Sequence, residues 1–287
     1  MQIGIGLPAP IPGVPGELLI EWAKKAEESS FSSLGIIDRL VYPNYEPLIT
    51  LAAAAAVTRR IGLMTTILIA PLHNTAMLAK QAATLDALSN GRLSLGLAVG
   101  GREDDYQGAR VNFHERGKLF DYQLETMTKI WAGEGVEGVD PIGPAPKRAG
   151  GPEILIGGSN PTALERVGRW GNGFISGGGG PEAGKKNFEV AEKAWKAAGR
   201  SGKPRFVSGM YFALGPDAAE RASAYLHHYY GFLGPLADRI AGSLPTTPEA
   251  LKGAIGAFEA VGLDELILWP CIGELDQLDR VAELLKS

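Results

Sequence analysis

Cysteine is nearly absent: Cys271 is the only one, and there are four histidines. An intrachain disulfide is therefore impossible, a thiolate zinc site cannot be assembled, and a cytoplasmic setting is the expectation. An excess of either charge is also lacking. Lys and Arg number 28 against 32 Asp and Glu, a formal net charge of −4, and basic residues never run beyond a pair. Neither nucleic acid nor an anionic membrane is the expected partner. Long hydrophobic runs are missing too, since the stretch 51–57 falls far short of the roughly 20 residues that cross a bilayer. Residues 1–7 alternate apolar with small side chains and have no basic start, so they read as a first strand rather than a targeting signal. There is no G-x-S-x-G elbow, and the adjacent His227 and His228 cannot share one helix face, which argues against a hydrolase triad and a metal centre.

What is present is a core-forming composition, 45% hydrophobic and 21% charged over 287 residues, enough to bury a large interior. The 39 glycines and 19 prolines are spread between periodic segments as punctuation. Short apolar runs at 3–7, 33–37, 61–69, 93–99, 153–156, 173–176, 205–214 and 265–269 read as eight strands. Between them lie helical faces such as Leu19, Trp22, Ala23 and Ala26, or Met77, Leu78, Gln81, Ala82 and Leu85. Further helices are expected at 47–57, 116–132, 161–169, 182–199, 216–230 and 249–261. The last opens on Thr247 as N-cap with Pro248 behind it and closes at Gly262. Leu275, Leu278, Ala282 and Leu285 form a terminal helical face.

Strand-then-helix repeated eight times is the pattern of an α/β fold of the (β/α)8 TIM-barrel type, taken as a single domain over 1–287. A doubly wound sheet would bind its ligand at the first strand–helix turn, but residues 7–16 carry four prolines and no G-x-G-x-x-G. Two stretches exceed the minimal repeat, 133–151 and 225–245, and both are expected as short insertions at the C-terminal mouth.

Function in a barrel resides on the loops after the strands. Those loops offer Asp38 and Arg39, then His73, then Gly100 with Glu103, Asp104 and Asp105, and finally two glycine runs, Gly157-Gly158-Ser159-Asn160 and Gly177-Gly178-Gly179-Gly180. Each run opens a helix, where backbone N–H groups and the positive helix end favour phosphate. Tight turns alone would also explain either run; two on neighbouring strands shift the reading toward a phosphate-bearing ligand. Gly179, Gly184 and Lys185 satisfy a P-loop spacing, but Lys186 stands where Ser or Thr is needed, so the match is chance. Asp38 is the candidate catalytic group, against a structural pairing with Arg39 or Arg60. His73 either contacts ligand or packs at the start of the helix that follows Asn74. Glu103, Asp104 and Asp105 are expected as a solvated acidic loop. Tyr106 and Trp269 are candidates, with His73, for the substrate wall.

The segment Leu78-Ala79-Lys80-Gln81-Ala82-Ala83-Thr84-Leu85-Asp86-Ala87-Leu88-Ser89-Asn90-Gly91-Arg92-Leu93, followed by Leu95-Gly96-Leu97-Ala98-Val99-Gly100, resembles the luciferase-like family of flavin- and deazaflavin-dependent oxidoreductases and monooxygenases. Ile36-Ile37-Asp38-Arg39-Leu40, Glu153-Ile154-Leu155-Ile156-Gly157-Gly158-Ser159 and Val261-Gly262-Leu263-Asp264-Glu265-Leu266 extend the resemblance along nearly the whole chain. It implies a (β/α)8 barrel holding FMN or the deazaflavin coenzyme F-420 in its mouth, with cofactor contacts at Thr65, Thr66, Gly100, Gly157, Gly158, Ser159, Gly177 and Gly178. It further implies a homodimer and a bulge in the third strand with a cis peptide, placed between Thr65 and Thr66 by counting back from His73. Arg39 stands where many deazaflavin users carry His, and Leu72-His73-Asn74 replaces their Arg-His-Pro.

The expected activity is hydride transfer between bound F-420 or FMN and a small organic substrate. The cofactor carries the redox chemistry, which accounts for the missing triad and metal motif. One alternative is an FMN-dependent monooxygenase fed by a separate flavin reductase. Another, of a different class, is a non-catalytic flavin-binding or interaction barrel, toward which Leu72 and Asn74 point. The compact chain favours F-420.

Overall fold

The computed structural model describes residues 1–136 and 138–286. Eight parallel strands follow one another round a closed barrel, and β1 (Gln2–Gly6) completes the ring against β8 (Glu265–Pro270). The staves between them are β2 (Ser33–Ile36), β3 (Gly62–Ile69), β4 (Leu93–Ala98), β5 (Glu153–Gly157), β6 (Gly173–Ser176) and β7 (Arg205–Phe212). Strands covered on both faces need apolar side chains at nearly every position, and β2, β4 and β6 are buried along their whole length.

Helices form the outer ring. Leu19, Trp22, Ala23 and Ala26 are the buried face of α1 (Gly16–Glu28). Next come α2 (Pro47–Val57) and α3 (Thr75–Leu88), capped through the side chains of Glu46 and Asn74. After β4 the chain makes a short α4 (Glu103–Ala109) and the longer α5 (Arg116–Trp131). The phosphate candidates precede α6 (Pro161–Arg169) and α7 (Gly180–Ala197), which pack on each other. Beyond β7 lie α8 (Ala218–Tyr230), a 3-10 turn over Gly231–Leu233 and α9 (Pro235–Gly242). Thr247 caps α10 (Pro248–Ala260) by accepting from the Ala250 N–H, and Gly262 takes the left-handed conformation, φ +81°, just beyond its end. The chain then runs through β8 into α11 (Asp276–Leu284). No helix of the described residues is long and apolar enough to cross a membrane.

Three expectations need correction. The described residues of segment 133–151 do not reach the mouth. The segment follows α5, so it returns to the end where strands begin: the Lys147 and Arg148 N–H groups donate to the Asp86 carboxylate at 2.7 and 3.1 Å, past the middle of α3. Segment 225–245 follows a strand and does lie at the mouth. The cis peptide joins Thr66 to Ile67, one residue later than counted, inside a register shift of β3 against β4 between Thr65 and Leu68. Finally, Glu103, Asp104 and Asp105 are the first turn of α4, and Asp105 is wholly buried, accepting the N–H groups of Leu40 and Val41 at 3.1 and 2.7 Å.

Inside the barrel the side chains stack in layers. The lowest layer is ionic: the buried Glu265 accepts from Ser32, Ser33 and Arg205, and Arg205 also reaches Glu153, which accepts from Ser94. A cavity of about 460 Å³ opens there, lined further by Arg60, Arg92 and Arg148. Above it Met64, Leu155, Ile175, Val207 and Ile267 form an apolar plug, with Ile67 and Trp269 packed on its upper side.

Candidate active site

The mouth has a flat apolar floor because glycines leave space for two large side chains. A Cβ on Gly6 would stand 2.5 Å from the Trp269 ring, and one on Gly209 would stand 2.6 Å from its far edge. The indole therefore lies across the barrel between β1 and β7. Gly157 plays the same part for Ile67, whose Cδ1 would lie 3.1 Å from an added Cβ. Gly157 is thus a packing glycine at the last position of β5. Trp269 is partly exposed, as expected of a wall residue, although it forms floor more than wall. Gly100 has φ +65° and backs onto Ile69.

Asp38 and His73 come together at the β2–β3 edge. The Asp38 carboxylate accepts from the Ile69 N–H at 2.9 Å, and His73 Nε2 lies 3.8 Å from the same oxygen. The Asp38 side chain is only 8% exposed, so it is a buried group tying two strand ends rather than an open rim carboxylate. Neither Arg39 nor Arg60 pairs with it: Arg60 spends its donors on carbonyls at the opposite end of the barrel. Thr65 donates its hydroxyl to the Gly96 carbonyl and Thr66 to the Ile36 carbonyl, at 2.8 and 2.9 Å. Both hydroxyls therefore hold the β3 bulge to its neighbours.

The two glycine runs open side by side. Gly158 is left-handed at φ +149° and packs on Ala163, while Ser159 and Asn160 are exposed, with the Asn160 side chain capping α6. Gly177 and Gly178 are exposed with nothing within 4 Å of an added Cβ, immediately before α7. Backbone at these two helix starts is bare enough for an anion to approach.

Tyr106 is not part of the wall. Its ring is 1% exposed on α4, and its hydroxyl donates to the Val99 carbonyl at 2.5 Å; burial pushes its pKa up to about 12. An aromatic one turn into an amphipathic helix turns to the core, and α4 was not legible as a helix.

The aromatic cluster that covers the mouth above β1, β2, β7 and β8 comes largely from segment 225–245, the insertion expected there. Tyr225 and Tyr229 of α8 pack with Ala213, Cys271 and Ile272, and Tyr211, Tyr230 and Tyr42 join them. The Tyr211 and Tyr230 hydroxyls meet at 3.0 Å, and burial raises the pKa of Tyr211 and of Tyr225 well above 10, so both remain neutral phenols. Arg39 inserts into this cluster, its guanidinium 4.7 Å from the Tyr42 ring and 5.1 Å from the Tyr229 ring. The run of aromatics at 225–230 was the available signal.

This geometry has counterparts. An uncharacterized protein of Mycobacterium tuberculosis is 31% identical over 191 residues, covering 57% of this chain and 66% of its own length. The F-420-dependent glucose-6-phosphate dehydrogenase of Nocardia farcinica is 32% identical over 206 residues, 64% of this chain and 60% of that protein. The aligned regions thus span slightly under two thirds of these relatives. Among solved structures, an F-420-dependent secondary alcohol dehydrogenase holding an F-420–acetone adduct superposes with a TM-score of 0.82 at 17% identity, over 99% of this chain and 97% of its own. The oxygenating component of 3,6-diketocamphane monooxygenase from Pseudomonas putida, bound to FMN, gives 0.73 at 20% identity over 93% and 91%. These two likenesses show the fold. The sequence pattern of the luciferase-like monooxygenases matches residues 1–286, and the chain belongs to that family.

Proposed function

We propose that this protein is an oxidoreductase that passes a hydride between the deazaflavin coenzyme F-420 and a small organic substrate lying over the ring. The observation that carries the reading is the combination, in one mouth, of a flat apolar floor and two bare glycine helix starts. Trp269 and Ile67 offer a planar group a surface to rest on, and Gly177 and Gly178 offer a phosphate open backbone, so the residues present fit a flavin or deazaflavin mononucleotide. When bound, such a group supplies the hydride chemistry. The chain's own part is to bind, orient and shield. The aromatic cluster keeps water from one side of the mouth. Asp38, already engaged by the Ile69 N–H, positions His73, which is part-exposed and is the group able to exchange a proton with substrate.

F-420 is favoured over FMN because the Nocardia relative and the alcohol dehydrogenase are both named for it. A second reading, an FMN-dependent monooxygenase fed by a separate reductase, is supported by the FMN-bound Pseudomonas neighbour. The deciding experiment is a fluorescence titration with F-420 and with FMN, followed by oxygen uptake in the presence of reduced FMN. Tight F-420 binding without oxygen uptake supports the hydride-transfer reading, oxygen uptake supports the second, and binding of neither cofactor overturns both.

A second copy of the chain is the proposed partner at the α2–α3 face. Ile49, Met77 and Leu88 stand 72%, 53% and 70% exposed there, around an apolar groove of about 330 Å³. Sedimentation of the wild type and of Ile49→Glu, expected as dimer and monomer, checks this. A cytoplasmic setting suits the single, buried Cys271.

A further inference from the structure

The covered side of the mouth is one continuous run of rings ending in a charge. Tyr211 lies 5.1 Å from Trp269 and 6.3 Å from Tyr225, and Tyr225 lies 5.9 Å from Tyr229, over which the Arg39 guanidinium sits. Arg39 is 9% exposed. It donates to the Tyr229 and Val41 carbonyls at 3.2 and 3.1 Å, and its Nε has no partner. No carboxylate of the described residues forms an ion pair with it: Asp38 faces His73, and Asp104, although close enough to feel the charge of Arg39, is paired with Arg102, which Asp105 also faces. Ring faces, carbonyls and the more distant Asp104 offset part of the charge, but a buried guanidinium with no anion in contact is an incomplete arrangement. Two further polar atoms in the same run are buried without a partner, the Tyr225 hydroxyl and the Trp269 indole N–H. All three groups can donate, and what they lack in common is an acceptor.

We propose that the substrate of this site carries a carboxylate, and that Arg39 is the residue that selects it, with the Tyr225 hydroxyl and the Trp269 N–H as further neutral donors along the same run. The inference rests on the mouth being the substrate site, as argued above. A carboxylate arriving there would pair with a fixed guanidinium among aromatic walls that exclude water, where charge-assisted hydrogen bonds are strong and directional. A neutral isostere would leave the charge uncompensated. The position that departs from the deazaflavin pattern thus becomes the specificity determinant.

The test is direct binding of benzoate and of benzamide, its neutral isostere, by calorimetry, to cofactor-loaded and to cofactor-free protein. Wild type is expected to bind benzoate at least about tenfold more tightly than benzamide. Arg39→Gln should bring the two together while leaving benzamide and F-420 affinities unchanged, and Tyr225→Phe should weaken benzoate alone by a few-fold. Equal binding of the two ligands by wild type, or a benzoate preference that survives Arg39→Gln, overturns the proposal. A loss of F-420 affinity in Arg39→Gln with the benzoate preference intact would assign the anion to the cofactor and also overturn it. Should Arg39→Gln fail to fold, Arg39→Met, which also removes the charge, carries the same comparison, with Tyr225→Phe read beside it. The cofactor-free arm separates the two ideas: absence of any cofactor binding sinks the oxidoreductase reading, while the benzoate preference is still read.

Discussion

The two ends of the barrel are both polar, and they differ in whether that polarity is used up. At the end where strands begin, Glu265 is wholly buried and accepts from two serines and Arg205, and Arg205 turns its other amino group to Glu153. Arg92 alone donates to the Ala55, Thr58, Ile61 and Ser89 carbonyls. Among the described residues, none lining that 460 Å³ cavity has a buried polar side-chain atom without a partner. At the mouth, Arg39, Tyr225 and Trp269 each keep one unmet donor. Size and charge of a cavity therefore do not by themselves mark a site; several unmet donors gathered in one run set the mouth apart from the single unmet atoms at Trp22, Asp86 and Gln123. The lower end is a clasp that holds five strands in register.

Glu265→Ala would break that comparison most severely. It leaves Arg205 without one of its two carboxylates and two serine hydroxyls without an acceptor, so urea unfolding should show a loss of about 3–5 kcal/mol, with cofactor binding by the folded fraction unchanged. Next, Gly209→Ala places a methyl against the Trp269 ring from below. Overpacking of this kind costs about 1–3 kcal/mol, and here it should also shift tryptophan emission and weaken cofactor binding, because the floor itself moves. Gly177→Val touches nothing in the folded protein, so melting should be unaltered while F-420 affinity falls by about tenfold, or 1.4 kcal/mol. Gly157→Val, by contrast, should lower stability through contact with Ile67. Asp38→Asn comes last. The amide oxygen can still accept the Ile69 N–H, so stability should stay within about 1 kcal/mol while turnover drops, as steady-state kinetics would show.

These contrasts also mark where sequence reading ends. The strands were legible because a parallel strand buried on both sides is an almost unbroken apolar run, and α10 was legible from Thr247, Pro248 and Gly262. The mouth's backbone elements could be placed by the same rhythm. Side-chain partners could not: Gly157 reads identically whether its missing Cβ admits a phosphate or Ile67, and Tyr106 identically whether it faces ligand or the Val99 carbonyl. The location of segment 133–151 was in principle readable, since a segment that follows a helix returns to the strand starts. Arg39 showed in the sequence as a departure from a pattern and as a possible partner of Asp38. Its meaning depends on Tyr229, 190 positions away, and no local spacing reports that.

The floor has one more consequence. Most barrels fill each interior layer with several medium-sized side chains, so depth is shared among many positions. Here Gly6, Gly157 and Gly209 contribute no side chain, and the level of the floor in the proposed site is fixed by two residues, Ile67 and Trp269. Depth is therefore a nearly single-residue property. Shortening Trp269 would sink the platform by the thickness of an indole without disturbing the glycine helix starts or the charge at Arg39. On the proposed reading, bulk tolerance and anion preference are carried by separate parts, and selection could retune one for larger or smaller molecules while leaving the other in place.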